Sequence, residues 1–331
     1  MQSVTIGSNQ AGQRLDKFLH KLLPAAGTGF LYKMLRKKNI TLNGRKASGS
    51  EILTPGDELS IFFSEETFQK FSGAPVSEDE YLRAYRSLKD VSVLYEDADV
   101  LLAGKGAGIL TQKAAPGDLS LNEWLIGRLL DSGFTTREGL ATFKPSVCNR
   151  LDRNTSGIVL CGKTLAGSQY LSSCIRERNV RKFYRAVCVG RVERETVVRG
   201  YLVKDPAENK VTIREAPPAS GEGEAIQTNY LPLSCSGDYT LLEVELVTGK
   251  THQIRAHLAA LGHPLTGDGK YGDERVNATF RKRFGLRHQL LHACRVEFPP
   301  CGEGPGAALS GRCFTAPDPE CFKRILQGLG L

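Results

Sequence analysis

From Val91 to the C-terminus, strand-like and helix-like patterns alternate, and seven runs are of strand length. They are VSVLYED, DVLLAGK, IVLCGK, FYRAVCVG, NKVTIRE, TLLEVELVT and HQLLHACRVEF. One amphipathic helix interrupts them, SLNEWLIGRLLDSG, with Ser120 as its cap and Leu121, Trp124, Leu125 and Leu129 on one face. A parallel sheet needs a crossover helix between its strands. The chain shows no regular strand–helix–strand repeat and no internal period. The pattern therefore predicts an α+β fold with a mixed, largely antiparallel sheet and flanking helices. The run Ile158 to Cys161, bounded by Gly157 and Gly162, is short and partly β-branched and predicts an interior strand.

The first 63 residues are patterned differently. GQRLDKFLHKLL places Leu15, Phe18, Leu19, Leu22 and Leu23 on one helical face, and Pro24 ends it. TGFLYKMLRKKN gathers Phe30, Leu31, Met34 and Leu35 on one side and Lys33, Arg36 and Lys37 on the other. A hairpin around Asn43-Gly44 and a strand ELSIFF complete a small α/β module. Residues 1–63 carry nine Lys and Arg against four Asp and Glu. A basic helix face of this kind suits RNA, although it also suits ordinary solvated surface. Residues 64–90 carry four basic and six acidic side chains and predict a linker, ending in a short helix around Tyr81 to Leu88. Residues 91–331 make the larger domain, and a chain of 331 residues has room for about two domains.

Several classes are excluded. No run of about 18 apolar residues exists, so no membrane span is expected. MQSVTIGSNQ lacks a basic start followed by an apolar stretch, so no signal peptide is expected and the location is read as cytoplasmic. The nine cysteines are irregularly spaced with no C-x-x-C, and read as reduced, mostly buried thiols rather than zinc ligands. Gly249-Lys250-Thr251 lacks the glycine five positions earlier that a phosphate loop requires, since Val244 stands there. His252 and His257 are five apart, not the four that a helical metal pair uses, so no metal site is expected.

Three places could carry chemistry. In CNRLDRNTSGIVLCGKT, Asp152 sits between Arg150 and Arg153 on a turn that runs into the interior strand. Asp, Asn, Thr and Ser also bond nearby backbone, so plain turn chemistry remains open. Arg255 lies near the start of the helix in VTGKTHQIRAHLAALG, where a cation is unfavourable with the helix dipole. That misfit points to a specific partner, although a solvated Arg remains open. Tyr184 shares a strand face with Lys182 and Ala186, and core packing remains open for it.

Taken together these stretches carry a resemblance. NRLDRNTSGIVLCGKT closely resembles the H-R-L-D-x-x-T-S-G-[LI] motif of the RluA-type RNA pseudouridine synthases. VLYEDADVLLAGKGAGIL resembles that family's opening strand pair and Lys-Pro-x-Gly turn, and RKFYRAVCVG its Lys-x-Tyr-x-Ala strand. VELVTGKTHQIRAHLAALGHPLTGDGKYG and LLHACRVEFPP resemble its two closing blocks. The first 63 residues resemble the RNA-binding domain shared with the fourth protein of the small ribosomal subunit. Asn149 and Gly106 depart from the family's His and Pro.

The resemblance implies isomerisation of uridine in RNA to pseudouridine, with no cofactor. It implies Asp152 as the essential carboxylate, Arg255 as its ion-pair partner and Tyr184 stacked on the target base. Arg150 and Arg153 would contact RNA beside the site, and Lys33, Arg36 and Lys37 would bind it through the small domain. Large-subunit ribosomal RNA is the expected substrate, with transfer RNA or RNA binding without activity as alternatives. A monomer without membrane attachment is expected.

Overall fold

In a computed structural model of the chain, residues 1–72, 78–205, 210–218, 221 and 223–331 are described. The N-terminal part runs β1 (Gln2–Thr5), α1 (Leu15–Leu22), α2 (Thr28–Arg36), β2 (Ile40–Leu42), β3 (Arg45–Lys46) and β4 (Glu58–Ile61). Its four strands form an antiparallel sheet in the order β1-β4-β2-β3. Phe18 and Leu19 of α1, Leu31 and Leu35 of α2, and Ile40, Leu59 and Ile61 of the sheet close one apolar core. Asn43 and Gly44 both take positive φ (51° and 70°), as a two-residue hairpin turn matched to the strand twist requires.

Two helices follow, α3 (Glu65–Ser72) and α4 (Asp79–Ser87), where the acidic composition suggested a linker with one short helix. Phe68 and Phe71 of α3 lean on the N-terminal core. The larger part then runs β5 (Val91–Glu96), β6 (Val100–Lys105), α5 (Leu121–Asp131), α6 (Arg137–Thr142), β7 (Ser146–Val147), β8 (Ser156–Gly162), α7 (Leu165–Arg176), β9 (Arg181–Val189), β10 (Thr196–Asp205), β11 (Lys210–Arg214), β12 (Glu224–Ser236), β13 (Tyr239–Leu246), α8 (Gln253–Ala260), α9 (Glu274–Phe284), β14 (Leu291–Glu297), β15 (Cys313–Thr315) and α10 (Glu320–Leu329). Helix α4 lies close on α5 because Gly127 has no side chain. A Cβ there would stand 2.1 Å from the Tyr81 carbonyl oxygen.

The large sheet has the order β11-β10-β12-β13-β9-β14-β8-β6-β5, with β15 beside β14 and β7 beside β8. Its pairings are antiparallel except that of β14 with β8. The sheet is therefore mixed and largely antiparallel, as its run pattern predicts. At the parallel join Ala293 faces Gly157, whose φ is +114°. A Cβ on Gly157 would lie 2.2 Å from the Ala293 carbonyl oxygen, so only glycine fits where the turn enters β8.

The centre of the sheet is covered on both faces. Every residue of β8 is buried, and so are Leu291 to Cys294 of β14. A strand covered twice has no solvent side, so β14 is buried continuously from Leu291 to Cys294 rather than at alternate positions. Strand β12, at 13 residues the longest, alternates buried and open positions along its first half. Its Gln, Asn, Ser and Pro hid it from hydrophobic pattern. Leu261 follows α8 as its C-cap and is exposed.

Candidate active site

Strands β8, β9 and β13 and helix α8 end around a cleft of about 860 Å³. Eight Lys and Arg side chains line it against one acid, Asp152. A low-dielectric cleft with walls of one sign concentrates an oppositely charged partner. The cleft therefore suits a polyanion that approaches a single carboxylate.

The turn that carries Asp152 is fixed from both sides. The Thr155 N–H donates to the Asp152 carbonyl at 3.0 Å, closing the turn. Thr111 Oγ1 donates to the Leu151 carbonyl (2.8 Å) and accepts from the Leu151 N–H (3.2 Å). Buried Lys105 donates to the carbonyls of Gly106, Ile109 and Arg153 at 3.0, 2.8 and 3.1 Å. Burial pulls the Lys105 ammonium down to about 7, against the opposing charges of Asp152 and Asp90. Beyond the turn, Gln289 Nε2 donates to Thr155 Oγ1 at 3.2 Å. Asp152 is thus held at the sheet edge with its side chain a quarter exposed to the cleft.

Arg255 is buried, not solvated. Its Nη1 donates to Asp152 Oδ2 at 2.8 Å, while Nε and Nη2 donate to the two oxygens of Asp268 at 2.7 and 2.9 Å. Asp268 has no exposed side-chain surface. Burial pushes its carboxyl up, but the Arg255 fork and the N–H groups of Lys270 and Tyr271 outweigh it and hold it below the usual value. Burial likewise opposes the charge on Arg255, and the two carboxylates outweigh it and raise its pKa. The planar guanidinium is used on two edges. Asp268 takes the side that fixes its orientation, and one N–H is left for Asp152.

Tyr184 lines the same cleft on β9, almost fully buried. Burial raises its pKa and the Asp152 charge raises it further, so the ring is neutral. Its hydroxyl makes no hydrogen bond with a described residue. His252 also lines the cleft and precedes α8 with φ +54°, an uncommon backbone state for a side chain of this size. The Tyr271 hydroxyl accepts from the Val211 N–H at 2.9 Å and lies within hydrogen-bond distance of His252 Nδ1, at 3.0 Å. Burial lowers the His252 pKa, opposed by Asp152.

The structure brings Asp152, Arg255 and Tyr184 to one cleft, with Arg150 and Arg153 exposed on its lip. Arg153 Nε donates to the Gly108 carbonyl at 3.1 Å. Lys33, Arg36 and Lys37 are exposed on and just after α2 and do not line the cleft. Asn149 lines it, but its Oδ1 accepts from the Leu160 N–H at 2.7 Å, which ties the side chain to β8. At Gly106 a Cβ would meet Asp90 Oδ2 at 1.8 Å, so the Asp90 side chain fills the space a larger residue would need. Sequence reasoning missed Asp268, Lys105 and Thr111. Asp268 lies in the Gly-rich turn LTGDGKYG, where an Asp reads as turn chemistry. The one available signal was Arg255 itself, a cation that needed more than one exposed carboxylate to be buried.

Comparison with known proteins gives matches along most of the chain. The family described as RNA pseudouridylate synthase matches residues 99–260, and the S4 domain matches residues 13–59. The ribosomal large subunit pseudouridine synthase C of Escherichia coli (strain K12) is 30% identical over 339 residues, covering 98% of this chain and 96% of the relative. The protein of that name from Vibrio cholerae serotype O1 is 29% identical over 304 residues, covering 90% and 89%. Among solved structures, human RNA pseudouridylate synthase domain containing 4 aligns with a TM-score of 0.60 at 21% identity, over 76% of this chain and 97% of that one. Human RNA pseudouridylate synthase domain containing 1 aligns at 0.51 and 22%, over 74% and 96%. The two structures share its fold.

Proposed function

The chain belongs to the RNA pseudouridylate synthase family, and from that premise we propose that it converts specific uridines of large-subunit ribosomal RNA to pseudouridine, with Asp152 as the essential carboxylate. The bond from N1 of the base to C1′ of the sugar breaks, the base turns, and C5 bonds to C1′ in its place. Nothing is oxidised or added overall, so the isomerisation needs no cofactor. The observation that carries the proposal is one carboxylate held by a buried Arg255 in a cleft otherwise lined by cations. An ionised carboxylate can attack the sugar or base, or remove a sugar proton, and in each role the 2.8 Å contact from Arg255 Nη1 aims it. Tyr184 supplies a stacking face for the target base. A base in a duplex must first be flipped out, at a few kcal/mol. Stacking on an aromatic ring recovers about 1–3 kcal/mol of that. Arg150 and Arg153 on the lip contact the backbone beside the flipped nucleotide. The proposal carries with it a monomer acting in the cytoplasm.

Pseudouridine mapping in cells lacking this protein tests the substrate. One or a few sites in large-subunit ribosomal RNA should return to uridine, and the wild-type gene should restore them. An unchanged ribosomal map with sites lost from transfer RNA instead would move the substrate. An unchanged map in all RNA would overturn the proposal.

The exposed cations of the S4 domain are assigned to sequence-independent affinity. Each phosphate contact adds about 0.7–0.9 to the slope of log affinity against log salt. Replacing Lys33, Arg36 and Lys37 together with Ala should therefore flatten that slope by up to about 2–3, measured by RNA titration at several salt concentrations. An unchanged slope would make this face ordinary solvated surface.

A further inference from the structure

Lys182 is more than nine-tenths buried, on β9 two residues before Tyr184. Successive side chains of a strand alternate, so Lys182 and Tyr184 share a face, about 7 Å apart along the strand. Both line the cleft. The carboxylates of this part of the sheet lie on the other face. There Arg181 pairs with Glu245 and Glu297, and Arg295 pairs with Glu243. On the cleft face, Val244 stands opposite Tyr184 in register, and Leu246, which lines the cleft, comes two residues later. Lys182 forms no hydrogen bond or ion pair with any described residue, and its Nζ lies where a Cβ on Gly249 would be 3.8 Å away. Burial lowers its pKa, and the nearby charge of Arg178 lowers it further.

A largely desolvated ammonium without a counterion is unfavourable in a free protein. It becomes favourable when a ligand brings the missing charge. Resting on the uridine-isomerising reading above, we propose that Lys182 is the seat for an RNA phosphate that flanks the nucleotide stacked on Tyr184. A phosphodiester brings a full negative charge, whereas a carbonyl of the base brings only a dipole and would leave the ammonium uncompensated. Neighbouring cations of the cleft are already engaged: Lys250 pairs with Glu224 at 2.7 Å, and Arg255 with its two carboxylates. Lys182 is therefore a binding residue that ties the position of the strand to the backbone of the substrate, beside the base.

The test uses the full-length protein, Lys182→Met and Lys182→Arg, with an unmodified large-subunit ribosomal RNA transcript. Met keeps the length of the stem and removes the charge. Lys182→Met should flatten the salt slope of binding by about 0.7–0.9, one phosphate contact. It should raise KM about tenfold while kcat falls less than threefold, and Lys182→Arg should keep the slope and most of the KM. Without RNA, the melting temperature of Lys182→Met should equal or exceed that of wild type, because a buried charge without a partner has been removed. A wild-type slope and KM in Lys182→Met would overturn the proposal. So would a large loss of kcat at an unchanged slope, which would place the ammonium on the base. A lower melting temperature with no change in slope would make it structural. Wild-type protein that binds the transcript and forms no pseudouridine would overturn the functional reading, while the slopes still decide the role of Lys182.

Discussion

Asp152→Asn should abolish pseudouridine formation, by about a thousandfold or more, and leave RNA binding at least as tight as in wild type. The amide matches the carboxylate in shape, and its oxygen can still accept from Arg255 Nη1, which donates to Asp152 at 2.8 Å. The turn that holds it depends on backbone, Thr111 and Lys105 rather than on the carboxylate. What the substitution removes is the charge, and with it any capacity to act as base or nucleophile. It also removes the one acidic side chain of a cleft lined by eight cations. A polyanion meets less repulsion there, so affinity should hold or rise. Filter binding and single-turnover isomerisation, run on one preparation, separate the two effects. Lost binding together with lost turnover would mean that Asp152 holds the fold of the site.

Arg255→Met should lose most activity and also destabilise the protein, and the second effect comes from Asp268 rather than Asp152. Asp152 is a quarter exposed and can turn to water. Asp268 has no exposed side-chain surface and would keep only the N–H groups of Lys270 and Tyr271. Removing one partner of a buried pair costs about 3–5 kcal/mol. The sign with pH follows. In wild type the Asp268 carboxyl is held below its ordinary value, so its contribution is present above the unfolded pKa and is lost as pH falls through the folded one. In Arg255→Met the burial is no longer outweighed and the folded value rises above the unfolded one. The penalty is then full at neutral pH and is relieved as pH falls through the raised value. Stability from pH 7 towards pH 4 should therefore fall less than in wild type, or rise, as read by denaturant unfolding. Arg255→Lys should recover part, since an ammonium cannot span both carboxylates with the same geometry. Arg255→Met combined with Asp268→Asn should be less destabilised than the two single changes summed. Normal turnover and additive stabilities would contradict the shared pair.

How far the sequence spoke depended on what each residue had to meet. The large sheet was legible because its interior strands are short apolar runs between glycines, and β8 and β9 fall where the pattern puts them. Strand β12 was not, because one covered face is enough to form it and its other positions are free to be polar. Helix α4 falls where a short helix was expected, docking on α5 through Ala84 and a close approach to Gly127, whereas α3, which buries no residue fully, was read as linker. In the cleft, Asp152, Arg255 and Tyr184 were named from sequence, and they meet because β8, β9 and α8 end together. Asp268 was not named, since nothing local distinguishes a fully buried Asp from a turn-forming one. Its burial is set by an arginine 13 residues earlier. The loneliness of Lys182 was invisible for a related reason. It depends on which face of β9 holds the carboxylates, and that is fixed by register with β13 and β14.

The claim that this cleft isomerises uridine through Asp152 is met most directly by one count. An unmodified large-subunit ribosomal RNA transcript is incubated with the purified wild-type protein or with Asp152→Asn, and pseudouridine is quantified site by site. The account predicts conversion at one or a few defined uridines by wild type and none by Asp152→Asn at equal RNA occupancy. Conversion by Asp152→Asn at a rate near that of wild type would contradict it.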